Sequence, residues 1–296
     1  MAKKSYTQRD TTPDRVLESR YVLEDKIELL VSTFQDGNMD PRFSDNALAN
    51  FHSFLEKHSI SPAESFSPAL GKNYGIITID ESNEERYVGK FIEYDDPREE
   101  YHCDAVIVNN ISIPVAFRVG DCPVVLIIGE SPGEKTTMAL VHAGRAELQA
   151  DILTATVDQM ISNHRIHPRS CTAYIFPHIC KHCYRLKYLD AATEEKAKHF
   201  LELANGYYHL DLMGWLKQQL KEAGIQRVST AFFRCTAGIS TVCKSRLLHD
   251  TKKFSGFYSN YKFHHCEAPK GRFLVVAGII NKESEIEKEE DGLYET

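Results

Sequence analysis

The amino-acid sequence predicts a mixed α/β domain, with mixed β-sheets flanked by helices, and three observations carry that prediction. Strand-sized apolar runs rich in β-branched residues recur along the chain, as in YGIITI at residues 74–79. Stretches with apolar residues at helical spacing separate them at irregular intervals. No repeat of fixed period and no low-complexity linker divides the sequence. A single domain is therefore expected over residues 26–281, between a polar N-terminal extension (1–25) and an acidic, solvated tail (282–296).

Taken in order, residues 26–34 (KIELLVSTF) read as a strand entering the Asp36-Gly37 turn. Residues 44–58 read as a helix that Ser44 or Asp45 can cap, with Leu48, Phe51, Phe54 and Leu55 on one face. Short strands are expected at 74–79 and 86–94, then at 105–108, 115–118, 124–128 and 138–141. Residues 147–161 form a helix with Leu153, Val157, Met160 and Ile161 at helical spacing. A strand at 172–176 precedes a helix at 194–204 on an Ala, Leu and Phe face. A further helix at 210–223 carries Trp215 toward the core and is closed by Gly224. Strands at 227–233 and 273–280 complete the set.

Bulk properties narrow the class of function. Over 296 residues, 42% are hydrophobic and 10% aromatic, enough for a substantial core. The formal charge of −7 opposes nucleic-acid binding, which needs basic patches to displace counterions, and argues for a small-molecule or protein partner. No apolar run reaches membrane-spanning length, and the first ten residues lack the apolar segment of a secretory signal, so a cytoplasmic protein is expected. Eight cysteines in a chain this long do not make a disulfide scaffold, and most read as small buried hydrophobes.

Chemistry concentrates in residues 119–148, VGDCPVVLIIGESPGEKTTMALVHAGRAEL. Two apolar strands flank a polar turn and should pair as an antiparallel hairpin. Centring it near Pro132 and Gly133 sets Cys122 opposite His142, where opposed Cβ atoms lie roughly 5 Å apart. A thiol and an imidazole could then touch or share a metal; a buried Cys and a satisfied core His are the structural alternative. The chain next turns at Gly144 into a helix, whose first N–H groups would favour a thiolate and an anion such as phosphate. Gly129-Glu130-Ser131-Pro132-Gly133-Glu134-Lys135-Thr136 is not a phosphate-binding P-loop, because Glu134 separates Gly from Lys and a strand follows.

These motifs resemble those of the YfiH-type laccase-domain family. Its Ala-Asp-Cys-x-Pro-Val stretch corresponds to Gly120-Asp121-Cys122-Pro123-Val124, and its Val-His-Ala-Gly-Trp-Arg-Gly to Val141-His142-Ala143-Gly144-Arg145-Ala146-Glu147. Cys103-Asp104-Ala105-Val106-Ile107-Val108 is similar to the family's Ala-Asp-Ala-Leu-Val-Thr strand. Phe176-Pro177-His178-Ile179-Cys180-Lys181-His182-Cys183-Tyr184 is similar to its Gly-Pro-x-Ile-Gly-Pro-Cys-Cys-Tyr segment. Asp211-Leu212, Cys235-Thr236, Phe257-Tyr258-Ser259 and Gly271-Arg272 echo later motifs, so the likeness runs from about Lys26 to Asn281.

The resemblance implies a fold similar in core to the cysteine deamidases of the cytotoxic necrotising factor toxins. It also implies an activity, purine nucleoside phosphorylase with adenosine deaminase, and a zinc ion held by two His and one Cys. Cys122 and His142 would supply two ligands; the family's other His falls at Tyr74 here, with His102 a possible stand-in. Cys122, His142 and Asp121 are then the catalytic candidates, and Arg145, His182, Ser259 and Arg272 the substrate-binding ones, for a nucleoside and phosphate. The Trp-Arg of the His motif becomes Arg145-Ala146, an early Ser-Thr-Arg becomes Ser32-Thr33-Phe34, and a late Tyr-Arg-Arg becomes Asn260-Tyr261-Lys262, which removes cations from the site.

Two alternatives stand beside the enzyme reading: a diverged member that binds a ligand or partner, and a metal-free hydrolase with Cys122 as nucleophile and His142 as base. Copper fits less well than zinc, because no copper-binding set is visible. His178, Cys180, His182 and Cys183 form a dense cluster with a Cys-x-x-Cys spacing but no second standard pair, since Cys235 and Cys243 lie too far apart. His264-His265-Cys266 reads as a solvated loop.

Overall fold

A computed structural model describes residues 20–71, 73–131, 135–237 and 270–280, with positions 5, 6, 133, 257 and 259. Cys243, His264-His265-Cys266, Asn260-Tyr261-Lys262 and the acidic tail lie outside the described residues. In chain order the elements begin with β1 (Ser5–Tyr6), β2 (Arg20–Leu23), β3 (Ile27–Val31), α1 (Ala47–Lys57), β4 (Phe66–Ser67), β5 (Ile76–Ile79) and β6 (Lys90–Phe91). Next come β7 (Ala105–Asn109), β8 (Val115–Val119), β9 (Val124–Glu130), β10 (Thr136–His142), α2 (Arg145–Gln149), α3 (Ile152–His164) and β11 (Thr172–Ile175). The chain continues through β12 (Arg185–Leu186), α4 (Ala191–Lys196), β13 (Leu201–Ala204), β14 (Tyr207–Leu210), α5 (Leu212–Glu222), β15 (Arg227–Ser229) and β16 (Phe273–Ile279).

Two mixed sheets stack face to face. One runs β1-β2-β3-β16-β8-β4-β6 and the other β15-β11-β9-β10-β7-β5, while β12-β14-β13 form a small third sheet. Strand alternation sorts the side chains into layers. Val124, Leu126 and Ile128 of β9 pack with Phe117, Phe273 and Val275 between the two sheets. Val125 and Ile127 of the same strand face the other way, onto Leu153, Val157 and Leu216 of α3 and α5. On the far side, Leu30, Ala116 and Leu274 meet Phe51, Phe54 and Leu55 of α1. Strands covered on both faces read as continuous apolar runs, which is why 124–128 and 138–141 were legible. Each such side chain contributes about 1.5–3 kcal/mol by leaving water. The mixed α/β class is the observed one, and Trp215 is core, 4% exposed.

Several elements depart from expectation. Residues 147–161 make two helices, because Asp151 takes a left-handed φ of 57° between them. The open carbonyls there are capped by tertiary partners: Gln219 Nε2 donates to Leu148 O and Lys196 Nζ to Gln149 O. The helix expected at 194–204 splits into α4 and β13, and β13 pairs with β14 across Asn205-Gly206. Both turn residues have positive φ, 53° and 76°, the signature of a tight hairpin turn. At 86–94 only Lys90–Phe91 is strand, after a turn in which Gly89 has a φ of 70°. Residues 20–23, placed in the N-terminal extension by sequence, are strand β2 of the larger sheet. Leu48, expected on the buried face of α1, is 46% exposed.

His58 closes α1 under Phe54, its ring 4.9 Å from the phenyl, with Nε2 buried and, among the described residues, without a hydrogen-bond partner. Burial first, then Lys57 and Arg20, lower its pKa below the ordinary 6.5. The folded chain therefore binds fewer protons than the unfolded chain. The stability this site contributes is present above 6.5 and is lost as pH falls through the lower native value. Urea unfolding should show a fall in midpoint between pH 7 and pH 5 that is smaller in His58→Gln; an equal fall in both proteins would refute the assignment. Among the described residues no helix is long and apolar enough to cross a membrane.

Candidate active site

Three segments converge at one end of the inner sheet. His142 is the last residue of β10, Asp104 immediately precedes β7, and Cys122 lies in the bend between β8 and β9. Backbone hydrogen bonds lock them together: His142 N–H donates to Asp104 O at 2.7 Å, and Ala143 N–H to Pro123 O at 2.8 Å. The hairpin register centres on Gly133, so His142 pairs with Val124 and not with Cys122. A two-residue displacement keeps side chains on their original face, and the thiol–imidazole contact survives as a diagonal one. The Cys122 sulfur lies near enough to His142 to act on the charge of the ring.

Asp104 orders the imidazole. It is fully buried, and its Oδ1 lies 2.8 Å from His142 Nδ1. The same carboxylate accepts from the Gly71 N–H at 2.7 Å and the Tyr74 N–H at 3.2 Å, so its own position is fixed by backbone. Anchoring Nδ1 leaves Nε2 as the ring's working nitrogen. Burial acts to lower the His142 pKa, but the Cys122 sulfur, the Asp104 hydrogen bond and the Glu147 carboxylate outweigh it and raise it well above 6.5.

Glu147 is a participant that sequence reasoning missed. It sits in the first turn of α2, is 5% exposed, and points back so that Oε1 lies 3.8 Å from His142 Nδ1. Gly144 makes that return possible. A Cβ there would stand 2.5 Å from Glu147 Oε2 and 2.8 Å from Cys122 Sγ. The signal was present in the motif comparison, because Glu147 occupies the place of a family glycine. The helix expected to offer its N-terminus is only five residues long, and what it brings to the site is this carboxylate.

A cavity of about 920 Å³ opens from Cys122 and His142 into the space beside both sheets. Asp121, Arg145 and Arg272 line it, with Arg42, Arg118, Tyr184 and Arg185. Asp121 Oδ1 accepts from Thr236 Oγ1 at 2.6 Å and Ser259 Oγ at 2.7 Å, so Ser259 reaches the site through Asp121. Arg118 donates to the carbonyls of Pro68 and Ile92 and lies 4.2 Å from the Phe91 ring centroid. Burial brings its pKa down to about 10, so it remains a cation at neutral pH. His182 is exposed on a turn outside the cavity lining, and His102 also lies outside it, 7% exposed. Tyr74 is 46% exposed; its backbone N–H, not its phenol, is what reaches Asp104.

The donors fit a metal ion. Atoms of Asp104, His142 and Glu147 come within 4.8 Å of one another, all buried, and Cys122 adjoins them. Glu147 is 5% exposed and its Oε1 lies 3.8 Å from His142 Nδ1, and buried charges are either paired or coordinate metals. Mixed N, S and O ligands with a carboxylate behind the histidine are a zinc pattern. A multi-copper set does not fit, since His142 is the one imidazole on the cavity wall among the described residues.

The model of the family described as multi-copper polyphenol oxidoreductase laccase matches residues 44–258. No curated protein matches the sequence. Among solved structures, the chain is similar to the hypothetical protein YfiH of Bacillus licheniformis, at a TM-score of 0.63 and 16% identity over 86% of this chain and 93% of that one. It is similar to YlmD of Geobacillus stearothermophilus, at 0.61 and 18% identity over 86% and 92%. A Neisseria meningitidis protein gives 0.62 and 16% over 86% and 95%.

Proposed function

We propose, on the footing that this chain belongs to the multi-copper polyphenol oxidoreductase laccase family, the YfiH-type laccase-domain proteins, that it is an enzyme of purine nucleosides. The observation that carries this reading is the Asp104–His142–Cys122 array opening onto an arginine-lined cavity. Of the two reactions open to that class, phosphorolysis of the N-glycosidic bond is the one the cavity wall supports. Arg118 and Arg272 line it: among the described residues Arg118 donates to carbonyls and forms no ion pair, and Arg272 sits 3.9 Å from Asp40. Both suit phosphate.

Zinc, held by Cys122, His142 and Glu147, would supply Lewis-acid polarisation of the substrate. The chain's own residues do the rest. Asp104 fixes the imidazole's orientation, and Gly144 lets Cys122 and Glu147 approach the same point. Asp121, whose Oδ1 accepts from two hydroxyls, lines the cavity beside Cys122. Tyr184 and Arg185 also line the cavity.

Incubation with inosine or adenosine plus phosphate should release ribose 1-phosphate and free base. Inosine from adenosine without phosphate would point to deamination instead. Neither product with any metal would overturn the enzyme reading and leave a ligand-binding family member. If the arginines hold phosphate, Arg118→Gln should raise the KM for phosphate by roughly 10–100-fold, the worth of one charge-assisted hydrogen bond. An unchanged phosphate KM in a folded variant would refute that role.

A further inference from the structure

We propose that Cys180, Cys183 and Cys235 form a second metal site, separate from the Cys122–His142 centre, for a thiophilic d10 ion such as zinc. The pairing was not legible from spacing, since the third cysteine comes from a distant segment.

The local fold brings the thiols together in two steps. The N–H groups of Cys183 and Tyr184 both donate to Cys180 O, at 3.0 and 2.9 Å, which folds residues 180–183 into a tight turn. A parallel bridge then joins His178 to Cys235. In it His178 N–H donates to Arg234 O at 3.1 Å and Thr236 N–H to His178 O at 3.2 Å. The three sulfurs end within 4.8 Å of one another, and none of these cysteines is in a disulfide.

That spacing suits a shared ion. Zinc–sulfur bonds of about 2.3 Å in a tetrahedron set sulfurs roughly 3.8 Å apart, a separation compatible with three sulfurs that lie within 4.8 Å of one another. Burial is graded: Cys183 is fully buried in the helix-side core, while Cys180 and Cys235 are half-buried and leave a path for the ion. Packing as hydrophobes alone would not require three sulfurs to meet at one point at the edge of that core. Cys183 and Cys235 fall on family motifs, whereas Cys180 replaces a family glycine, so the third thiol is a feature of this chain. An ion here would tie the segment carrying Tyr184 and Arg185 to the one carrying Thr236, which holds Asp121. The site would thus brace one wall of the cavity.

Cadmium titration of the reduced full-length protein, followed by thiolate-to-metal charge-transfer absorption, tests this. The wild type and Cys122→Ala should both bind an equivalent with a three-thiolate band. Cys180→Ser and Cys235→Ser, at half-buried positions that tolerate the change, should each lose about a third of that band and bind at least about tenfold more weakly, with thermal unfolding confirming that they fold. No such band in Cys122→Ala, or an unchanged band in both serine variants, overturns the proposal. A Cys180–Cys183 disulfide that persists in glutathione buffer overturns it as well.

Discussion

Asp104→Asn should lower kcat/KM by roughly 10²–10⁴-fold, the range seen when the group that orients a catalytic histidine loses its charge. Asp104 is fully buried and accepts from two backbone N–H groups as well as from His142 Nδ1. An asparagine keeps the size but offers only one acceptor oxygen. Its NH2 group must then face either the Tyr74 N–H or, on the other side, both the Gly71 N–H and the imidazole. If it faces the ring, the tautomer reverses and Nε2 carries a hydrogen where the site needs a lone pair. The cost in stability should be about 1–3 kcal/mol, because one buried donor loses its acceptor. Steady-state kinetics and urea unfolding separate the two effects. A variant that unfolds like the wild type and retains full kcat/KM would remove Asp104 from the site.

Gly144→Ala is the second large effect, and here stability and activity should diverge. The added Cβ meets the far ends of two side chains, Glu147 Oε2 at 2.5 Å and Cys122 Sγ at 2.8 Å. Gly144 has an ordinary φ of −68°, so the backbone accepts alanine and the strain falls on those two groups. Both can rotate away at about 1–3 kcal/mol, the usual penalty for overpacking. Rotation moves the thiol and the carboxylate off their common point, and a displacement of about 1 Å at a reacting group is worth roughly a hundredfold in rate. Zinc affinity should fall with the rate. Near-wild-type activity in this variant would mean that Cys122 and Glu147 need not approach each other.

The two halves of this site were unequally visible in the sequence. Cys122 and His142 stood out because each lies in a short motif bounded by apolar strands, and strand alternation puts both on one face even when the register moves by two residues. Asp104 was hidden inside a strand motif, since nothing local shows that residue 104 lies beside residue 142; that neighbourhood exists only once β7 pairs with β10. Glu147 follows the histidine of its motif by five residues, and an acid in a helix's first turn is common enough to carry no signal by itself. Tyr74 falls at the family's His position by motif resemblance, yet its side chain is half exposed and its backbone N–H is what reaches Asp104. The misread helix at 194–204 has a similar cause. Ala197, Phe200, Leu201 and Ala204 repeat at helical spacing, but Asn205-Gly206 forces a hairpin and the turn prevails over the periodicity. The layers themselves were legible because runs covered on both faces leave little choice of position.

Zinc content is the most direct test of the claim that Cys122, His142 and Glu147 meet at one ion. Elemental analysis of zinc-loaded protein should find one equivalent more in the wild type than in Cys122→Ala or Glu147→Gln, whatever the thiol cluster at Cys180 holds. Equal zinc in all three folded proteins would contradict the account.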